Sequence, residues 1–114
     1  MPPNAPAAKN TARRPLVRGI DPEALRRAAE IIKLLGHPER LKLVEVLEGG
    51  EHTVSELCRA CDLEQAVCSQ HLSRLRGKGV VATRRDGQRV FYRLVEAKVP
   101  MILDCIRRCD GRRS

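Results

Sequence analysis

The chain has 114 residues, enough for one domain with a modest core, and one Phe, one Tyr and no Trp mean that core is aliphatic. A formal charge of +8, from 22 basic and 14 acidic residues, points to a polyanionic partner such as nucleic acid. No run approaches the ~18–20 apolar residues of a membrane span, and none reads as a signal peptide. The expectation is therefore a cytoplasmic chain whose five cysteines are reduced, and an odd count also argues against a closed disulfide framework.

Residues 1–19 carry three prolines before position 7, four basic residues, no acid and no apolar period. They read as a flexible basic tail, either an unstructured leader or an arm on DNA phosphates. A first helix starts at Asp21-Pro22, an N-cap acid followed by a proline suited to the first turn. Leu25, Ala28, Ala29, Ile32 and Leu35 give it a helical stripe ending at Gly36. Pro38 opens a second helix, with Leu41, Val44 and Leu47 repeating before Gly49-Gly50. His37, beside a proline in the joining turn, is read as a turn residue and not a ligand. Thr53 and Glu56 form a capping box for a third helix over Val54 to Cys61, and Asp62-Leu63 turns the chain into a fourth. There Cys68, Leu72 and Leu75 stand at i, i+4, i+7 and face inward, leaving Gln65, Ser69, Gln70, Ser73 and Arg74 outward. His71 flanks the inward stripe as a packed or backbone-facing residue. Gly77 and Gly79 end the helix. Val80–Arg85 and Arg89–Val95 then flank Asp86-Gly87-Gln88, with Asp-Gly as the hairpin signal. A last helix, Lys98 to Cys109, carries Val99, Ile102, Leu103 and Ile106, more apolar surface than one small domain can cover. Helices one and five are therefore expected to meet their counterparts in a dimer.

The predicted fold is mainly α with a β-hairpin wing: a winged helix-turn-helix of five helices over residues 20–110, with 111–114 as a short tail. Charge follows this layout. Residues 21–63 hold six basic against nine acidic residues, whereas 64–95 hold seven against two. The positive field thus lies on the tail, the fourth helix and the hairpin, where a phosphate backbone would be gripped.

The segments Leu35-Gly36-His37-Pro38-Glu39-Arg40-Leu41, Cys68-Ser69-Gln70-His71-Leu72 and Arg85-Asp86-Gly87-Gln88-Arg89-Val90-Phe91-Tyr92 resemble the ArsR/SmtB family over roughly residues 21–109. The resemblance implies a dimeric repressor on an inverted-repeat operator, released when a metal ion or oxidising thiol chemistry reaches it. By position it makes residues 64–78 the recognition helix, with Gln65, Val67, Ser69, Gln70 and Ser73 toward base edges. Arg74, Arg84, Arg85, Gln88 and Arg89 then serve the DNA backbone, with Arg89 a candidate for the minor groove. Leu25, Ile102, Leu103 and Ile106 become the dimer interface.

The inducer site departs from the family. Where many members carry Cys-Val-Cys, this chain has Val54-Ser55-Glu56-Leu57, and its last helix lacks the histidines of zinc-sensing relatives. Its own thiols form two groups. Cys58, Cys61 and Cys68 either pack as small hydrophobes or offer three thiolates to a soft ion such as As(III) or Cd(II). Cys105 and Cys109, four apart on one helical face, can chelate an ion (Zn(II) included), pair across a dimer or react with an oxidant. Nearby arginines favour their thiolates, and this pair is the preferred sensing site, with the trio as second choice.

Other functional classes fit less well. Cys58-Arg59-Ala60-Cys61 is a C-x-x-C, but it ends a short helix outside any βαβ unit, so a thiol oxidoreductase is set aside and no enzyme is expected. A zinc ribbon would need a second C-x-x-C, and Cys105 and Cys109 are spaced wrongly for it. The remaining rival is a winged-helix protein-interaction module that neither binds DNA nor senses an inducer. Such a module would have little use for the basic 64–95 segment.

Overall fold

In the computed structural model, residues 19–110 are described; the expected tails over 1–18 and 111–114 lie outside them. The order is α1 (Pro22–Leu35), α2 (Pro38–Glu48), β1 (His52–Thr53), α3 (Val54–Cys61), α4 (Gln65–Gly77), β2 (Val81–Asp86), β3 (Arg89–Leu94) and α5 (Lys98–Cys109). This is a winged helix-turn-helix. Asp21 caps α1 by accepting the Ala24 N–H, and Pro22 occupies the first helical position. The capping box of α3 forms in full: Thr53 Oγ1 accepts the Glu56 N–H at 3.3 Å, and Glu56 Oε1 accepts the Thr53 N–H at 3.0 Å.

One aliphatic core draws on every helix. Leu43, Val44, Leu57, Cys68, Leu72, Leu75, Val80 and Val99 are its fully buried members, and burying each Leu or Val side chain contributes roughly 1.5–3 kcal/mol. Cys68, Leu72 and Leu75 thus hold α4 by the inward face that the sequence period picked out. At the root of the wing the Val80 N–H donates to Leu75 O, and Val80 O accepts from Val95 and Glu96. The hairpin therefore leaves the core from a fixed base.

One apolar strip is added and two sequence expectations change. On α1 a core-facing strip lies beside the expected stripe. Ile31, Leu34 and Leu35 are buried, whereas Leu25 and Ile32 stay 51% and 60% exposed. Two apolar strips lie side by side on this helix, and a period locates both without saying which one the chain itself covers. The hairpin turn is also shorter than expected. Asp86 pairs with Arg89 as the last rung, leaving Gly87-Gln88 as a two-residue turn. Gly87 has φ +67° at the first central position, where such a turn takes glycine. Finally, β1 adds a third strand, with His52 opposite Tyr92 and Thr53 opposite Phe91, giving the sheet order β1-β3-β2. Two residues directly before a helix carry no readable alternation.

Candidate nucleic-acid interface

The turn into α4 is set by Asp62, whose left-handed backbone (φ 55°, ψ 52°) lets the N–H groups of Asp62 and Leu63 both reach Cys58 O. From there Gln65, Ser69, Gln70, Ser73 and Arg74 are exposed along α4, while Val67 is half-buried at the margin of that face. Among the described residues none of these side chains makes an internal hydrogen bond. Their donors and acceptors are free for a partner. A helix is about 10–12 Å across and the major groove of B-DNA about 12 Å wide, so the amide and hydroxyl row can reach base edges.

The wing presents a second surface. Arg84, opposite Phe91 on β2, and Arg89, two residues before it on β3, lie 4.7 Å and 5.1 Å from its ring centroid, and both also meet acids. Arg84 Nε donates to Glu51 at 2.7 Å, and the Arg89 guanidinium is 3.7 Å from Glu56. Glu51 and Phe91 were not singled out in the sequence, because a contact 33 positions apart has no local signature. Arg85 and Gln88 are exposed at the tip with no such partner among the described residues. The Thr53 N–H, then His52 and Arg89, hold the Glu56 carboxyl below its usual range, so it remains an anion beside Arg89.

A helix-turn-helix domain family matches residues 35–84, which spans α2 through to the first wing strand. The chain is 40% identical over 88 residues to a biofilm growth-associated repressor of Agrobacterium fabrum, covering 75% of each chain. Among solved structures, NolR from Sinorhizobium fredii superposes with a TM-score of 0.72 at 32% identity, covering 83% of this chain and 98% of that one. The transcriptional repressor BigR from Xylella fastidiosa gives 0.69 at 38% identity, over 77% and 93%. A homodimeric winged helix-turn-helix DNA-binding domain from Mycobacterium bovis, described as a possible ArsR-family regulator, gives 0.65 at 27% identity over 74% and 78%. The chain belongs to the ArsR/SmtB family. It is a DNA-binding transcriptional regulator and not an enzyme.

Family membership leaves the chemistry of this member to its own residues. His71 is buried on α4 and packed, as expected, but against side chains and not backbone. Its Nδ1 accepts from Arg40 Nε at 3.1 Å and its Nε2 lies 2.8 Å from Glu39 Oε1. With Nδ1 accepting, the ring proton sits on Nε2 and is donated to Glu39. His37 caps α2 through Nδ1 and packs edge-on to His71 at 4.6 Å. His37, Glu39 and His71 bring ligand atoms within 4.8 Å of one another. A cation at His71 Nε2 would have to displace the proton shared with Glu39, with Arg40 already on the other nitrogen. The trio is a hydrogen-bonded latch between α2 and α4. The sequence carried its members inside the family-like segments but gave no sign that they meet.

The cysteines divide as their positions suggested. Cys68 is buried and Cys58 and Cys61 are half-buried between α3 and α4. Burial first, then a hydrogen bond with Cys58, pushes the Cys68 thiol up to about 12, and burial also raises Cys61. Burial thus disfavours the thiolates of Cys61 and Cys68. Cys105 and Cys109 are exposed on α5. Arg107, between them, is tied to Asp104 and across to Glu48 of α2.

Of the residues expected at a dimer interface, Leu25 and Ile106 are 51% and 46% exposed and Ile102 is half-buried. Leu103 is only 5% exposed because it closes the protomer's own core beside Val99. Ile32 and Met101, 60% and 70% exposed, join the uncovered apolar surface. No helix is long and apolar enough to cross a membrane among the described residues.

Proposed function

We propose that this regulator is a cytoplasmic homodimeric repressor on an inverted-repeat operator, released by an inducer acting on Cys105 and Cys109. The free row Gln65, Ser69, Gln70 and Ser73 on α4 carries the operator reading, since hydrogen-bonding side chains left unpaired on one helical face suit base edges. Arg85 and Gln88 at the wing tip and Arg74 beside the row serve the backbone. Two recognition helices related by a dimer axis match half-sites about one helical turn, ~34–36 Å, apart. The uncovered apolar strips of α1 and α5 supply the surface for that axis. Relatives named as repressors support the direction of regulation.

The inducer is a thiophilic ion, As(III), Cd(II) or Zn(II), or a thiol oxidant. Exposure favours Cys105 and Cys109 over Cys58, Cys61 and Cys68, and burial disfavours the thiolates of Cys61 and Cys68. Bond formation on α5 acts on the helix proposed for dimerisation, and a change in tilt between recognition helices spoils their fit to successive grooves. To test this, a duplex enriched by the protein from a random pool is titrated with each ion and with a persulfide. The enriched sequence should be an inverted repeat, and Cys105→Ser with Cys109→Ser should abolish release by whichever inducer acts on the wild type. Unimpaired release from that variant would move the sensor to the buried trio. A pool without enrichment would favour a winged helix that recognises protein.

A further inference from the structure

The last turns of α1 and α4 and the first turn of α2 enclose a cavity of about 390 Å³ lined by Glu30, Lys33, Leu34, Arg40, Arg74 and Lys78. Four cations and one acid share this wall. Elsewhere half of the described arginines and lysines find carboxylates, namely Arg26, Lys42, Arg84, Arg89, Lys98 and Arg107. Lys33, Arg40, Arg74 and Lys78 have no carboxylate within ion-pair distance among the described residues. Basic side chains in the last turn of a helix can simply answer its partial negative charge, which would account for Lys33 and Arg74. Arg40 lies in the first turn of α2, where its own helix end is partially positive, and it reaches back to the last turn of α1 through Leu34 O.

Arg40 is also held in place. Its Nε donates to His71 Nδ1 at 3.1 Å and its Nη1 to Leu34 O at 3.1 Å, leaving other guanidinium N–H groups uncommitted. A fixed guanidinium at the wall of a cavity, with three exposed cations around it, is a ready anion receptor. Less side-chain entropy is lost on binding when the fork is already ordered. We propose that this cavity binds a phosphate group, with Lys33, Arg40, Arg74 and Lys78 as its ligands. Two sources offer that group. Arg74 and Lys78 follow Gln70 by one and two helical turns, so a duplex seated on α4 could supply a backbone phosphate. A free phosphorylated small molecule would fit the same donors. Only the first source rests on the DNA-binding reading.

The test uses a Lys33→Gln, Lys78→Gln double variant, in which both exposed side chains stay polar and keep their helix propensity but lose their charge. In one arm the protein alone is melted with increasing pyrophosphate, against sodium chloride at equal ionic strength. In the other, binding to a mixed-sequence duplex is followed across a salt series. For a DNA phosphate, the variant's log affinity against log salt should be shallower than wild type by about 1, the share of one phosphate. For a free phosphate ligand, that slope should be unchanged, while a pyrophosphate-specific rise in wild-type melting temperature disappears from the variant. Either change supports the site. A variant that keeps the wild-type slope and the wild-type response to pyrophosphate overturns it. Should wild type bind no DNA, the pyrophosphate arm still decides.

Discussion

At the level of single residues, this domain keeps some functional side chains free and commits others to neighbours. Glu56 does three things at once: it completes the α3 cap, meets His52, and lies beside Arg89. Glu56→Gln preserves the cap, since glutamine at that position also closes a capping box, but it removes the charge that competes for Arg89. DNA affinity should then rise, with a log–log salt slope steeper by about 1. An unchanged slope in a salt series would mean that Arg89 stays on Phe91 and off the backbone. The thiols differ in the same way. Raised from an ordinary 9.0 to about 12, Cys68 is almost wholly protonated at pH 8, whereas Cys105 and Cys109 face solvent. Pulsed alkylation read by mass spectrometry should label Cys105 and Cys109 first and Cys68 last. The same raised value makes the folded state lose stability as pH climbs from about 9 towards 12. Over that range the unfolded thiol ionises and the buried one does not.

At the level of elements, α5 has to serve two surfaces. Val99 and Leu103 close the protomer's core, while Met101 and Ile106 stay uncovered. Leu103→Asp should therefore unfold the protomer, a buried unpaired carboxylate costing roughly 3–5 kcal/mol. Ile106→Asp should leave the fold intact and yield monomers. Circular dichroism with sedimentation separates the two; an Ile106→Asp protein that stays dimeric would remove α5 from the interface. This division could not be read from the sequence, where Val99, Ile102, Leu103 and Ile106 form one period. Much else could. The Asp21 cap, the Thr53–Glu56 box and the inward set Cys68, Leu72 and Leu75 depend on neighbours within a few positions, and local spacing records them. What the sequence hid depends on long-range pairing. The α2–α4 latch joins residues 31 and 32 positions apart, and Glu51 reaches Arg84 across the sheet. The second apolar strip of α1, Ile31 and Leu34, has the same cause: periodicity marks an apolar face, and only tertiary packing says what covers it.

At the level of the whole molecule, a negatively biased helical half carries a basic reading half, and the winged fold sets α4 and the wing tip on one rigid base. The α2–α4 latch and the Val80 hydrogen bonds fix those two parts relative to the core. The claim that matters most is that α4 reads bases while the wing grips the backbone. It is tested by fluorescence anisotropy on the enriched duplex and on single-base variants of it, over a range of salt, with wild type, Gln70→Ala and Arg85→Ala. Gln70→Ala should lose about 1–3 kcal/mol of discrimination at one base pair per half-site and keep the wild-type salt slope. Arg85→Ala should weaken binding to every duplex alike, with a slope shallower by about 1. Loss of base preference in Arg85→Ala with an unchanged salt slope, or a Gln70→Ala protein that discriminates as wild type does, would contradict it.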